Sequence, residues 1–197
     1  GYVANKFKKM MSEGRIPPGV DKGTLLESQV LEVVQEYEGF DLLVMWRTEG
    51  EGCYCFVNDV LSRAIEWLMD GYDLILMDCE AGLEHFNRRV FKALDHLVIV
   101  VDGSKASFDT AKRIMEVVKE VEIKVRNSWI LANKVSLDLV ELMYERSAKL
   151  GLSLLGVVPF SETLYRYLIE GRSLLELPGD DPAVKAVGEV CRRLGLI

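Results

Sequence analysis

Short apolar runs alternate along this chain with longer stretches in which apolar residues recur every three or four positions. Five runs stand out: Phe40 to Trp46, Tyr72 to Met77, Leu97 to Val101, Ser128 to Ala132 and Leu154 to Val158, mostly without polar alternation. Strands of a parallel sheet covered on both faces have this character, because neither face meets water. Between and around them the helical period predicts helices over Leu25 to Tyr37, Val57 to Met69, Glu84 to Ala93, Ser107 to Val121, Leu137 to Lys149, Ser161 to Ile169 and Ala183 to Leu194. Boundary residues agree. Ser161 followed by Glu162 and the pair Asp181-Pro182 suit helix starts, whereas Gly71, Gly151, Gly171 and Gly195 stand just past helix ends. Lys6 to Met11 forms a further short candidate before the Pro17-Pro18 turn. The alternation defines an α/β fold, a mostly parallel sheet with helices on both faces.

Composition narrows the function. The 197 residues are 49% hydrophobic and 28% charged, enough for one domain with one sizeable core. A net charge of -7, from 24 Lys plus Arg against 31 Asp plus Glu, argues against a nucleic-acid surface. No secretory signal is recognisable and no apolar run approaches the ~20 residues of a spanning helix, so the expected setting is cytoplasmic, with no membrane partner. Four cysteines are too few for a disulfide scaffold and remain available as thiols. Cys191, on a helical face with Val187 and Leu194, reads as core.

Candidate chemistry gathers at strand ends. Cys53 and Cys55 lie two residues apart in the glycine-hinged run Glu49 to Cys55. Two thiolates leave a tetrahedral soft-metal ion two ligands short, and a two-fold dimer would complete it; a strained short-range disulfide or two incidental thiols are the alternatives. Asp78 ends the apolar run Tyr72 to Met77 in a Walker B-like pattern. There a carboxylate faces the ligand crevice, and Ala81-Gly82 lets backbone amides approach a phosphate. A turn-capping aspartate is the plain alternative. Cys79 reads as a small buried thiol, His85 as a capping residue or a ligand, and His96 as structural. Asn133, followed by Lys134, closes another run; its amide can donate to and accept from a purine edge, or simply form a turn. Pro159-Phe160 would form an apolar wall beside the same base.

Taken in order, these pieces resemble the deviant Walker A ATPases of the MinD, ParA and nitrogenase iron-protein class. Phe40 to Asn58, with its Cys-Tyr-Cys, and Asp78 to His85 resemble the signature of the carbon monoxide dehydrogenase nickel-insertion ATPases of CooC type, and the likeness extends from about Ile16 through Asn133-Lys134-Val135 and Pro159. The resemblance implies an ATP-dependent homodimer in which paired Cys53 and Cys55 bind Zn2+ or Ni2+ and nickel passes to carbon monoxide dehydrogenase. It further implies Asp78 as the switch acid near Mg2+, Gly82 as the γ-phosphate contact, and Asn133, with Lys134 and Pro159, as the adenine site. A MinD/ParA-type switch for positioning or partitioning and a non-catalytic thiolate metal-binding dimer are the other readings. The chain contains no G-x-x-x-x-G-K-[ST] and no Gly-Lys dipeptide. It is therefore expected to be residues 1–197 of one incomplete domain, truncated at its amino end with the first strand and P-loop missing. The full-length protein would be an ATPase and this chain alone inactive, since the phosphate loop supplies the amides and lysine that phosphoryl transfer needs.

Overall fold

The structure, a computed structural model, describes residues 13, 25, 28, 32–44, 66, 68, 71–79 and 93–197. Its contacts divide the chain into two compact units, Gly1–Glu80 with Arg88–Phe91, and Ala81–Asn87 with Lys92–Ile197.

In the first unit Leu25 and Ser28 are helical, as are Glu66 and Leu68. The helix expected through Tyr37 instead gives way to a hairpin, β1 (Gln35–Tyr37) antiparallel to β2 (Phe40–Leu42). The cause is local. Gly39 takes φ +88°, a left-handed conformation that closes a two-residue turn, and the rings of Tyr37 and Phe40 stack 5.1 Å apart across it. The run beginning at Phe40 is thus an exposed antiparallel strand of three residues and not a central parallel one. Tyr72 to Met77 also departs from expectation. It has no regular secondary structure and joins no ladder among the described residues, and Leu74 and Leu76 are 56% and 88% exposed. An apolar run becomes a buried strand only where a neighbour supplies hydrogen bonds; here the Tyr72 hydroxyl donates to Asp41 Oδ2, which raises the phenol pKa.

The second unit carries the expected α/β architecture. β3 (Ala93–Val101), β4 (Lys124–Asn133) and β5 (Ser153–Val158) form a parallel sheet in that order. The crossovers are helices α1 (Lys105–Glu120) and α2 (Val140–Lys149), the latter preceded by a 3-10 turn at Leu137–Leu139. Two more helices follow, α3 (Glu162–Glu170) and α4 (Pro182–Leu194). Each predicted run in this half becomes a strand, with β3 and β4 growing by several residues at their amino ends. Ala93, read as a helix end, begins β3.

Sequence chemistry sets the ends. Ser104 Oγ accepts from Ser107 N at 3.1 Å to start α1, and α3 and α4 end at Gly171 and Gly195 in left-handed caps with φ +66° and +72°. The core runs through Val101, Ile130 and Leu155 of the strands and Met143 of α2, none more than 1% exposed. Each such side chain contributes about 1.5–3 kcal/mol relative to exposure. α4 is held closely to β5. Between Ile130 and Leu131 the β4–β5 register slips by one residue, leaving Leu155 as a bulge whose carbonyl accepts from Arg193 Nη1 at 2.6 Å. One residue on, a Cβ at Gly156 would lie 3.0 Å from Val190 Cγ2. On α4 itself Ala183 and Val190 are buried, Cys191 and Leu194 are half-buried, and Val187 is 47% exposed. The core stripe thus passes beside the face expected from Cys191, because the helix rolls Val190 onto Gly156.

His96 is structural, as expected. Its Nδ1 accepts from Trp129 Nε1 at 3.0 Å across the β3–β4 pair, and the rings stack 6.3 Å apart. Among the described residues no helix is long and apolar enough to cross a membrane.

Candidate functional site

The carboxyl ends of parallel strands form the edge at which open α/β sheets bind ligands. Here β4 ends at Asn133, paired in register with Val158 at the end of β5. Lys134 then adopts φ +59°, rare for a side chain with a Cβ, and the chain folds back so that Val135 N donates to Val158 O at 3.4 Å. Asn133 and Pro159 are consequently half-buried neighbours on adjacent strand ends, while Lys134 is exposed. Among the described residues the Asn133 amide makes no hydrogen bond, so both its donor and its acceptor are unspent.

The β3 end is built differently. Asp102 Oδ1 accepts from Ser104 N at 2.9 Å, and the Ser104 hydroxyl, the Ser104 amide and the Ser107 hydroxyl hold its pKa down at about 2. Between them Gly103 has φ +84°, and a Cβ there would meet Val135 Cγ2 at 3.1 Å and Met143 Sδ at 3.5 Å. Arg146 of α2 donates from Nη1 to Gly103 O and lies 5.7 Å over the Phe108 ring. Asp102 thus spends its carboxylate on a turn. The sequence signal for this loop is an apolar run followed by Asp-Gly-Ser.

Beyond β5, Phe160 is 53% exposed and tilts against Tyr165 at 5.8 Å. An open groove of about 390 Å³ runs along α3, lined by Phe160, Glu162, Tyr165, Arg166, Ile169 and Glu170. Ser161 and Asp181 are buried and hydrogen-bonded to each other at 2.5 Å. That bond, first among the causes, holds the Asp181 carboxyl below its usual range. Asn133, Lys134 and Pro159 are thereby brought together at one edge.

The remaining candidates are placed less fully. Asp78 lies exposed just after Tyr72 to Met77 in the first unit. Cys79, expected to be buried, is exposed, and its segment joins no sheet among the described residues. Neighbouring chain atoms still desolvate its thiol and, with the Asp78 carboxylate, push its pKa up, which disfavours the thiolate that metals need. Cys53, Cys55, Gly82 and His85 lie outside the described residues. Among the described residues no three His, Cys, Asp or Glu side chains are grouped to hold a metal.

Known proteins share this architecture. A ParA family ATPase from Chlorobium tepidum TLS superposes with a TM-score of 0.62 at 21% identity, covering 98% of this chain and 73% of that one. The MinD cell division protein of Aquifex aeolicus gives 0.59 at 22% identity, covering 70% and 60%. Identities this low establish the fold alone, an α/β fold built on a parallel sheet like that of these two proteins. No protein-family profile matches the chain. An uncharacterised ATP-binding protein of Methanocaldococcus jannaschii is 36% identical over 194 residues, covering 98% of this chain and 77% of its own length. The chain belongs to the family of that ATP-binding protein. It is also 29% identical over 133 residues to the carbon monoxide dehydrogenase accessory protein CooC of Rhodospirillum rubrum, covering 66% of this chain and 49% of CooC.

Proposed function

We propose that the chain is part of an ATP-dependent accessory protein that works as a homodimer and delivers nickel to carbon monoxide dehydrogenase. The observation that carries the nucleotide half is the Asn133 amide, half-buried with donor and acceptor unspent beside Pro159. A purine offers the complementary acceptor and donor, and Pro159 with Phe160 offers the apolar wall that a base needs. Lys134 adds a positive charge beside that edge. The exposed Asp78 carboxylate suits a hard cation such as Mg2+, and Gly82 follows where a backbone amide could meet phosphate.

Bound ATP with Mg2+ supplies a phosphoanhydride whose cleavage can drive a switch between dimer states. The chain's own part is to seat the base, present the acid and hold the cargo. Nickel, or zinc in its place, is the cargo here, and Cys53 with Cys55 supplies two soft ligands per chain so that two chains fill one tetrahedral site. The likeness to CooC and the Cys-x-Cys pair support this finer reading.

The nucleotide half is tested by titrating full-length protein with ADP and with GDP. We expect Asn133→Ala to weaken ADP by about tenfold, the cost of leaving base-edge groups unpaired. Equal ADP affinity in the variant would reject the assignment.

A further inference from the structure

The groove along α3 lies on the outer face of that helix. Positions 162, 165, 166 and 169 follow the i, i+3, i+4, i+7 spacing of one helical stripe, and Leu168 flanks it. Tyr167 is buried and Leu164 half-buried, so the opposite side is the one that packs on the fold. The outer stripe is nevertheless apolar in large part. Tyr165, Leu168 and Ile169 are 51%, 52% and 69% exposed and adjoin one another along the helix. Single exposed apolar residues are ordinary, but a contiguous group rimmed by charge marks a contact surface. Phe160 tilts against Tyr165 at 5.8 Å, which limits the freedom the ring would lose on contact.

The charges on the stripe say what covers it. Glu170 pairs with Arg172 at 3.7 Å, but the side chains of Glu162 and Arg166 make no hydrogen bond or ion pair among the described residues. They stand one turn apart with the acid first, the favourable order for an i, i+4 pair, and leave each other unspent. One free acid and one free base on the same stripe are self-complementary. A two-fold axis crossing α3 between them lays a second α3 antiparallel on the first and sets Arg166 of each copy beside Glu162 of the other. Tyr165 then lies next to the axis, where the two rings meet, and Leu168 with Ile169 covers each end. A uniformly basic partner would be repelled by Arg166, and a uniformly acidic one by Glu162.

We infer that the outer face of α3 is a self-association surface, its occupant being α3 of a second copy of this chain, joined by two Glu162–Arg166 pairs around an apolar centre. The contact is independent of nucleotide and of Cys53 and Cys55. A helix of 9 residues offers a small interface, so the association belongs to the weak, reversible class that buries less than about 1,200 Å².

The experiment is sedimentation velocity on full-length protein carrying Cys53→Ser and Cys55→Ser, without nucleotide, over about 10–500 µM, where weak contacts become populated. This protein is expected to shift from monomer toward dimer as its concentration rises. Arg166→Glu and Glu162→Arg each replace two attractions by two repulsions, and either alone is expected to weaken association about tenfold. The combined swap, Glu162→Arg with Arg166→Glu, is again self-complementary and should restore association, which neither a folding defect nor an unrelated surface would do. Melting curves of each variant separate a change of fold from a change of contact. A protein that stays monomeric throughout, association indifferent to the single reversals, or a swap that restores nothing would overturn the inference.

Discussion

Gly156 is where α4 comes nearest to the sheet, and replacing it with alanine tests the packing of the second unit. The added Cβ would stand 3.0 Å from Val190 Cγ2 and 3.8 Å from Leu131 Cδ1. Favourable carbon contacts lie at about 3.5–4.0 Å, so the first pair must separate by roughly half an ångström. Val190 has little freedom to yield, since a β-branched side chain in a helix keeps essentially one χ1 rotamer. The helix cannot back away cheaply either, because Arg193 is bonded to Leu155 O at 2.6 Å. Overpacking of this kind costs about 1–3 kcal/mol, against roughly 0.4–1 kcal/mol recovered from a less flexible unfolded chain. We expect Gly156→Ala to destabilise by about 1 kcal/mol in urea denaturation followed by circular dichroism. The cause is checked by a double-mutant cycle with Val190→Ala, which makes room for the new methyl. The pair should be coupled favourably by about 1 kcal/mol, well outside the additivity expected of independent sites. A Gly156→Ala protein as stable as the parent, or costs that simply add, would refute the reasoning.

Two further perturbations follow from the same contacts. Asp181→Ala deprives α4 of its cap and leaves the buried Ser161 hydroxyl without an acceptor, an expected loss of about 2–4 kcal/mol. The Asp181 pKa is lowered in the fold, so its stabilisation is complete above the ordinary carboxylate pKa and disappears as pH falls through the lower folded value. The gap between the thermal melts of parent and variant should therefore narrow as pH falls below about 4; a gap that stays constant down to pH 2 would contradict the link. Arg146→Met keeps the alkyl packing but removes the donor to Gly103 O and the charge over Phe108, and should cost about 1–3 kcal/mol in urea. An unchanged midpoint would show that the β3 loop does not depend on α2.

Much of the second unit was legible because its runs are buried on both faces and carry helix-period segments between them. Leu97 to Val101, Ser128 to Ala132 and Leu154 to Val158 all lie within strands, and Ser161, Asp181, Gly171 and Gly195 sit at the helix ends their chemistry suggested. Asn133 and Pro159 stand at strand ends as expected, because polar or rigid residues there are conspicuous after apolar runs. The hairpin at Gly39 was missed, since Gln35 to Tyr37 continues a helical period and the deciding turn is a single glycine. Tyr72 to Met77 was misread for the opposite reason. Hydrophobicity alone says that a run favours burial, not which strand will pair with it. The Ser161–Asp181 bond joins residues too far apart for any local pattern to reveal, although each was recognised singly as a cap.

The central claim, an ATP-dependent dimer that carries nickel between paired Cys53 and Cys55, is tested most directly by equilibrium dialysis of full-length protein against Ni2+. We expect about one ion per two chains, as four thiolates fill one tetrahedral site, and loss of that ion in the Cys53→Ser, Cys55→Ser protein. Unchanged binding after both substitutions would contradict the account.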